Sequence, residues 1–185
     1  MHYKNDIARY GVVAKFLHWV MALLILALIP LGWWMADLPL DLEKIWYYNF
    51  HKSLGIVVLG LALIRLFWRR ISPPPLPPLD QSPFEKKAAH AVHIGLYVAF
   101  IAQPIIGIVH SWATGFPIVF FNSYALPNMI SANKALAEQL STAHFVIGWS
   151  IAAIVVLHIC AALKHHYQDK DDILTRMVPF GRPRG

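Results

Sequence analysis

The ten histidines of this 185-residue chain are the residues whose type and spacing could do chemistry. Imidazole is the commonest side-chain metal ligand, and it gains or loses a proton near neutral pH. His144 and His158 are 14 residues apart. On a helix, the two side chains would point within about 40° of each other and lie about 21 Å apart along the axis. This spacing predicts two histidine levels on one face of a helix.

Four apolar stretches could position histidines across a membrane, because a spanning helix needs about 20 apolar residues. They cover residues 12–36, 46–69, 88–113 and 139–164, and their central parts contain no Asp, Glu, Lys or Arg except Lys52. None has the short apolar core and cleavage site of a signal peptide. We therefore predict an all-α fold, a polytopic membrane four-helix bundle that forms a single domain over residues 1–185.

The composition agrees with a membrane protein and excludes other classes. Hydrophobic residues make up 57% of the chain and charged residues 14%, whereas a soluble domain carries about 25% charged residues. A typical soluble protein and a disordered chain are both excluded. The single cysteine, Cys160, excludes an intrachain disulfide, a CxxC redox pair and an iron–sulfur cluster ligated by this chain alone.

The positions of the cationic residues predict the orientation, because cytoplasmic segments of membrane proteins are rich in Lys and Arg. Thirteen of the 16 cationic residues lie near the two termini or in the connection between the second and third spans; the other three are Lys44, Lys52 and Lys134. Both termini and the stiff Pro-rich linker 72–83 are therefore predicted to be cytoplasmic. The net charge of +6 is then a topology signal and gives no reason to expect nucleic acid as a partner.

In this orientation, histidines of three spans fall at two depths. His18 of the first span and His158 lie at one depth, near the inner surface. His51 of the second span and His144 lie at another depth, near the outer surface. Four residues further along the same helix face, each of these histidines is followed by a small residue that leaves room beside the ring. These small residues are Ala22, Ala162, Gly55 and Gly148.

Two imidazoles that face each other at one depth are what a six-coordinate b-type haem requires, so two pairs predict two haem b groups with iron as the metal. Three alternatives fit less well. Single interhelical hydrogen bonds would not explain the matched depths. A zinc site would gather three or four ligands around one point. A proton relay would more naturally include intramembrane Asp or Glu, which all four spans lack.

Several motifs resemble the prokaryotic cytochrome b561 family, and they follow one another over nearly the whole chain. The motifs are His18-Trp19, His51-Lys52-Ser53-Leu54-Gly55, Ile64-Arg65-Leu66-Phe67-Trp68-Arg69, the Pro-rich linker, His90-Ala91-Val92-His93, Gln103-Pro104-Ile105-Ile106-Gly107 and the tail from His165-His166-Tyr167 to Arg176-Met177. The resemblance implies a multi-pass cytochrome of the bacterial inner membrane with two b haems. It maps the family's iron ligands onto His18, His51, His144 and His158.

The same resemblance implies electron transfer coupled to ubiquinone, and superoxide oxidation at the outer face in some members. The expected partners are membrane lipid, quinone and a small-molecule or protein electron donor. The outer side carries three Lys against four acidic residues, so its charge does not favour superoxide. An alternative function is a non-enzymatic haem-binding membrane anchor or electron-transfer subunit of a partner oxidoreductase. The chain has no flavin- or nicotinamide-binding glycine motif, which is compatible with both functions.

Two further residues are candidates at the inner level. Arg65 is 14 residues after His51, so it returns to the same helix face and could bind a haem propionate, or else extend to the lipid headgroups. His165 is two turns beyond His158 and could bind quinone or deliver protons to it, although a structural role is equally compatible with the sequence.

The other histidines and the aromatic residues give weaker signals. His90 and His93 could ligate a metal, but no span supplies an obvious unused partner at their depth, so hydrogen bonds to propionates, a quinone or the linker fit better, with plain interface residues as the alternative. His110 suits the outer interface and His2 suits solvent. Phe116 to Phe121 are expected to lie in the membrane interface. The tryptophans and tyrosines near the span ends are interpreted as interfacial belts; they are Trp33, Trp34, Trp46, Tyr47, Tyr48, Trp68 and Trp112.

Overall fold

The structure, a computed structural model, describes residues 2–78, 81–179 and 181. It contains four long helices: α1 (Val12–Ala36), α2 (Leu42–Ile71), α3 (Pro83–Ala113) and α4 (Lys134–Lys164). All four are long and apolar enough to cross a membrane. The predicted four-helix membrane fold is confirmed.

Three of the helices begin before the predicted spans, because polar caps extend them past the apolar stretches. Asp41 and Asn133 each accept a backbone N–H of the first turn of α2 and α4, and Ser82 and Glu85 form a capping box at the start of α3. Such caps satisfy N–H groups that have no partner within the helix. Apolar length predicts the membrane-spanning part of a helix and misses its capped polar end.

A buried apolar cluster fills the middle of the bundle and joins α1, α2 and α4. Its members are Met21, Ile25, Val58, Ala62 and Ile151. Ile151 is seven residues from both His144 and His158, so the cluster separates the two histidine levels. Residues of α3 pack against its edge. The tight packing fixes the helices that carry the histidines.

The connection between α3 and α4 forms a small β-hairpin, which the all-helical prediction lacked. Strands β1 (Ile118–Phe120) and β2 (Tyr124–Leu126) pair antiparallel. The hairpin is tied to α2 where the N–H of Phe121 donates to the Oγ of the buried Ser53 at 2.7 Å. Strands of three residues are too short to show an alternating pattern, which is why this hairpin could not be predicted from the sequence.

The segments predicted to be cytoplasmic meet at one end of the bundle. After α4 the chain makes a π-helical turn (His165–Asp169) and a short helix α5 (Ile173–Met177). Trp19 of α1 donates its Nε1–H to the carbonyl of Met177 at 3.0 Å, and the N–H of Asn5 donates to Ser72 Oγ at 2.8 Å. The N-terminal segment, the linker and the tail therefore share one side of the protein.

A reporter fusion tests on which side of the membrane this end lies. Alkaline phosphatase, which folds to an active enzyme only in the periplasm, should be inactive when fused after Gly185 and active when fused after Asn128 in the outer connection. The charge distribution gives the reason. Activity at Gly185 would contradict the orientation, and with it the assignment of inner and outer levels.

Candidate functional site

The outer histidine pair lies between α2 and α4. The ring centroids of His51 and His144 are 6.4 Å apart, and the ring planes are inclined by 70°. Gln103 of α3 donates its side-chain N–H to the backbone carbonyl of His144 at 2.8 Å. This bond fixes α3 against α4 at the level of the outer pair.

Two glycines on the other helices make room for the outer rings. A Cβ added at Gly32 of α1 would lie 3.1 Å from Cε1 of His51, and one added at Gly107 of α3 would lie 3.1 Å from Cε1 of His144. A contact this short would force the ring to move. Each ring of the outer pair therefore lies close to the backbone of a neighbouring helix, where a side chain larger than that of glycine would make a tight contact.

The small residues expected four positions after the histidines have mixed roles. A Cβ at Gly55 would meet nothing within 4 Å, so open space lies beside His51 on its own helix. A Cβ at Gly148 would lie 3.3 Å from the side-chain nitrogen of Gln103. Gly55 thus leaves room for a ligand, while Gly148 leaves room for the amide that bonds to His144.

The inner histidine pair lies between α1 and α4. The ring centroids of His18 and His158 are 6.2 Å apart, with the planes inclined by 65°. His93 of α3 comes equally close, with its ring centroid 5.8 Å from that of His158. The inner level therefore holds three imidazoles, and His18 and His93 lie at comparable distances from His158.

Both predicted pairs have the spacing that bis-histidine iron ligation requires. Two imidazoles on opposite sides of one iron have ring centroids about 6.2 Å apart, since the metal–nitrogen bond is about 2 Å long and the nitrogen lies about 1.1 Å from the ring centroid. The observed 6.2 and 6.4 Å agree with this value. The residues present fit the group that the sequence pattern implies.

Unpaired ring nitrogens support the same interpretation. The Nδ1 atoms of His18, His51 and His144 are buried and have no hydrogen-bond partner within the part of the chain that the structure describes. A buried polar atom left unsatisfied costs about 1–3 kcal/mol. These rings therefore have polar atoms to which a group outside the polypeptide could bind.

Arg65 lies at the inner level, over the ring of Tyr97 with its guanidinium carbon 5.7 Å from the ring centroid. It is within electrostatic range of His18 and His158, and no acidic side chain of the described residues forms an ion pair with it. Burial raises the pKa of the nearby Tyr10 phenol, which therefore stays neutral. The inner level thus holds a guanidinium that lacks a counter-anion in the described chain.

His165 lies in a cluster of charged side chains at the end of α4. Its Nδ1 is 2.7 Å from a carboxylate oxygen of Asp171 and 3.1 Å from one of Asp169. Lys164 donates to the same oxygen of Asp169 at 2.7 Å and to Glu85 at 2.9 Å. These bonds hold the π-helical turn in place, and they also connect an imidazole to two carboxylates.

The remaining candidates are dispersed. Lys52 donates to Ser111 Oγ at 2.8 Å, which ties α2 to α3 near the outer pair. His90 is exposed. Trp33 stacks on Trp149 with ring centroids 4.4 Å apart, so it also joins α1 to α4. Nothing in the spacing of these two tryptophans pointed to this contact.

The sequence signals missed the contacts of two glycines with the rings, and they named His93 without placing it beside His158. Gly32 and Gly107 contact rings on neighbouring helices, and spacing within one helix does not reveal such contacts. The closeness of His93 to His158 depends on how α3 is rotated, which its apolar pattern does not fix. The one sequence feature that pointed to His93 was the presence of a histidine within an apolar stretch.

Comparison with known proteins covers almost the whole chain. Residues 9–180 match the family model described as prokaryotic cytochrome b561. The chain is 38% identical over 181 residues to cytochrome b561 homolog 2 of Escherichia coli K12, with 96% of this chain and 95% of that protein covered. It is 33% identical to the "Probable superoxide oxidase CybB" of Yersinia pestis, covering 98% and 99% of the two chains.

A third relative is cytochrome b561 homolog 1 of Escherichia coli K12. It is 32% identical over 183 residues, covering 92% of this chain and 97% of that protein. The matches extend over full lengths, so they include all four helices and both histidine levels.

Proposed function

The chain belongs to the prokaryotic cytochrome b561 family and is a multi-pass electron-transfer protein of the bacterial inner membrane, and we propose that it binds two b haems and exchanges electrons with ubiquinone. The family implies b-type haem. The number of haems, the ligands and the quinone are our proposal.

One observation carries the proposal: the four histidines singled out by depth approach each other at two levels, with ring centroids 6.2 Å apart for His18 and His158 and 6.4 Å apart for His51 and His144. Support for an iron between the rings of each pair comes from the match to the expected spacing of about 6.2 Å. Further support comes from the open space beside Gly55.

The chain's own residues would bind and orient the haems. His18 and His158 would supply the inner iron ligands, and His51 and His144 the outer ones. Gly32 and Gly107 would leave just enough space for the outer rings, since a Cβ at either position would lie 3.1 Å from a ring carbon. Arg65 would supply the positive charge for a propionate of the inner haem through a charge-assisted hydrogen bond. Each bound haem supplies reversible one-electron storage, with a potential that depends on burial and nearby charge.

Superoxide is the electron donor that we propose, because a relative of similar length carries the name "Probable superoxide oxidase CybB". Two superoxide anions would each lose one electron at the outer face and become O₂. Ubiquinone would gain these two electrons and two protons from the cytoplasmic side and become ubiquinol. This balance requires two protons for each quinone, and with uptake from the cytoplasmic side it requires a proton route at the inner end.

His165 is our candidate for this proton route. Its ring nitrogen lies within hydrogen-bond distance of Asp171, and Asp169 and Lys164 next to it are exposed on the protein surface. An imidazole bonded to carboxylates can accept a proton at one nitrogen and release one at the other. A second function for the cluster, holding the tail against α4, is compatible with the same bonds.

Stopped-flow spectroscopy tests the function. Purified haem-loaded protein is mixed with superoxide, with and without a soluble ubiquinone analogue. We expect rapid haem reduction in both cases, reoxidation only with quinone, and many superoxide molecules consumed per protein only with quinone. Haem reduction without reoxidation by quinone would identify the chain as an electron-transfer subunit of a partner. Absence of reduction would exclude superoxide as the donor.

A further inference from the structure

A groove on the outward face of α3, separate from the histidine pairs, combines basic side chains with a shallow apolar floor. It is lined by Lys86, Lys87, His90, Ala91, Ile94 and Gly95 and has a volume of about 740 Å³. We call it the α3 groove. The electron-transfer chemistry proposed above does not use it.

The groove consists of two neighbouring rows of residues spaced four apart. One row is Lys86, His90 and Ile94, and the other is Lys87, Ala91 and Gly95. Residues four apart lie above one another on a helix, so each row descends about 12 Å from its first to its last residue. The basic residues are all at the end next to the helix start, and the apolar residues lie deeper in the predicted membrane.

The positive charge at the top of the groove is not neutralised by the neighbouring acidic residue. Glu85 precedes the two lysines, but its carboxylate bonds to Lys164 at 2.9 Å. Within the described chain, neither Lys86 nor Lys87 forms an ion pair with an acidic side chain. Two cations that share one helix end without an anion attract a negatively charged ligand.

The floor of the groove is open because its residues are small. Ala91 is exposed, and a Cβ added at Gly95 would meet only Ile154 of α4, at 3.9 Å. Ile94 is 50% exposed beside them. An extended hydrocarbon chain could therefore lie against Ala91 and Gly95 without displacing a side chain.

We propose that the α3 groove binds an anionic phospholipid of the inner leaflet. Lys86 and Lys87 bind the phosphate, His90 lies beside the headgroup, and an acyl chain packs along Ala91 and Gly95. Charge complementarity at one end and apolar surface at the other are the two properties of such a lipid, and basic pockets on the cytoplasmic side of membrane proteins bind anionic headgroups. The proposal goes beyond the proposed electron transfer and does not rest on it.

Native mass spectrometry of the full-length, haem-loaded protein tests this. The protein is released from detergent after incubation with phosphatidylglycerol or with phosphatidylcholine of the same acyl chains. The test variants are K86Q/K87Q, which removes the phosphate ligands, and Ala91→Leu, which fills the floor and keeps the charges. The control K4Q/K170Q removes the same charge at two exposed lysines outside the groove.

Wild type and control should retain phosphatidylglycerol in preference to phosphatidylcholine. K86Q/K87Q should weaken that preference by about an order of magnitude, because each lysine near an anionic surface contributes severalfold to binding, and Ala91→Leu should also weaken retention of phosphatidylglycerol. Equal retention of the two lipids by wild type, or the same preference in K86Q/K87Q as in the control, would overturn the proposal. Should K86Q/K87Q fail to fold, Ala91→Leu decides, and unchanged retention in it overturns the proposal.

Discussion

Alanine substitution of His51 or His144 is expected to abolish one and the same low-spin haem component, and substitution of His18 or His158 to abolish the other. The reason is geometric, since the two levels are about 21 Å apart along α4, and one iron cannot be ligated across that distance. Each substitution removes one of two axial ligands, so the affected haem becomes high-spin or dissociates. We expect at least a tenfold loss of that low-spin signal and little change in the other.

Redox titration of the four single variants, monitored by optical and EPR spectra, tests this prediction. The two haems should differ in midpoint potential, because the potential depends on burial and nearby charge and the surroundings differ: Arg65 and His165 lie toward the inner level and Lys52 beside the outer one. His93→Ala is the matched control and should keep both components, since His93 lies near His158 without being a predicted ligand. If His93→Ala removes the inner component while His18→Ala leaves it intact, the inner ligands are His93 and His158.

Leucine at Gly32 or Gly107 is expected to displace the outer haem and to leave the inner one in place. A Cβ at either position would lie 3.1 Å from a ring atom of His51 or His144, so a larger side chain must push the ring out of position. Overpacking in a tight site costs about 1–3 kcal/mol, which corresponds to an outer haem bound about 5- to 150-fold more weakly.

The effect is measured as the haem content per protein while the sample is diluted, or while apomyoglobin takes up the haem that dissociates. Gly95→Ala is the control, because its Cβ would meet Ile154 at 3.9 Å, an ordinary contact distance, and it should retain both haems like wild type. Equal loss of both haems in the Gly107→Leu protein would show a general disruption of the bundle. Full retention of the outer haem would show that close contact at these glycines does not position the rings.

The helices and their histidine levels were predictable from the sequence because both depend on spacing within a single helix. An apolar run of sufficient length specifies a span, and 14 residues between His144 and His158 specify a shared face and a depth difference. The two ring pairs then follow from topology alone. Alternating directions of four consecutive helices bring His18 to the depth of His158 and His51 to that of His144.

Features that depend on packing between helices could not be predicted in this way. The contacts of Gly32 and Gly107 with the rings and the position of His93 beside His158 depend on helix rotation. In a membrane, no hydrophobic driving force between helices encodes that rotation in a simple polar and apolar pattern.

Long-range bonds between short irregular segments were equally invisible in the sequence. The β-hairpin is fixed by the bond from the Phe121 N–H to Ser53, and the tail by the bond from Trp19 to Met177. Each bond joins a long helix to a residue far away in the sequence. That residue, Phe121 or Met177, lies in a short segment without a recognisable hydrophobic pattern.

The number of low-spin haems per chain tests most directly whether the four histidines act as two pairs defined by depth. Pyridine haemochrome analysis combined with EPR should give about two non-covalent, low-spin haems in the wild-type protein. The double variants H18A/H158A and H51A/H144A, which each lose both ligands of one level, should keep about one. The crossed variant H18A/H51A should keep none, because each haem loses a ligand. One low-spin haem in wild type, or a crossed variant that keeps one while a same-level variant keeps none, would contradict the account.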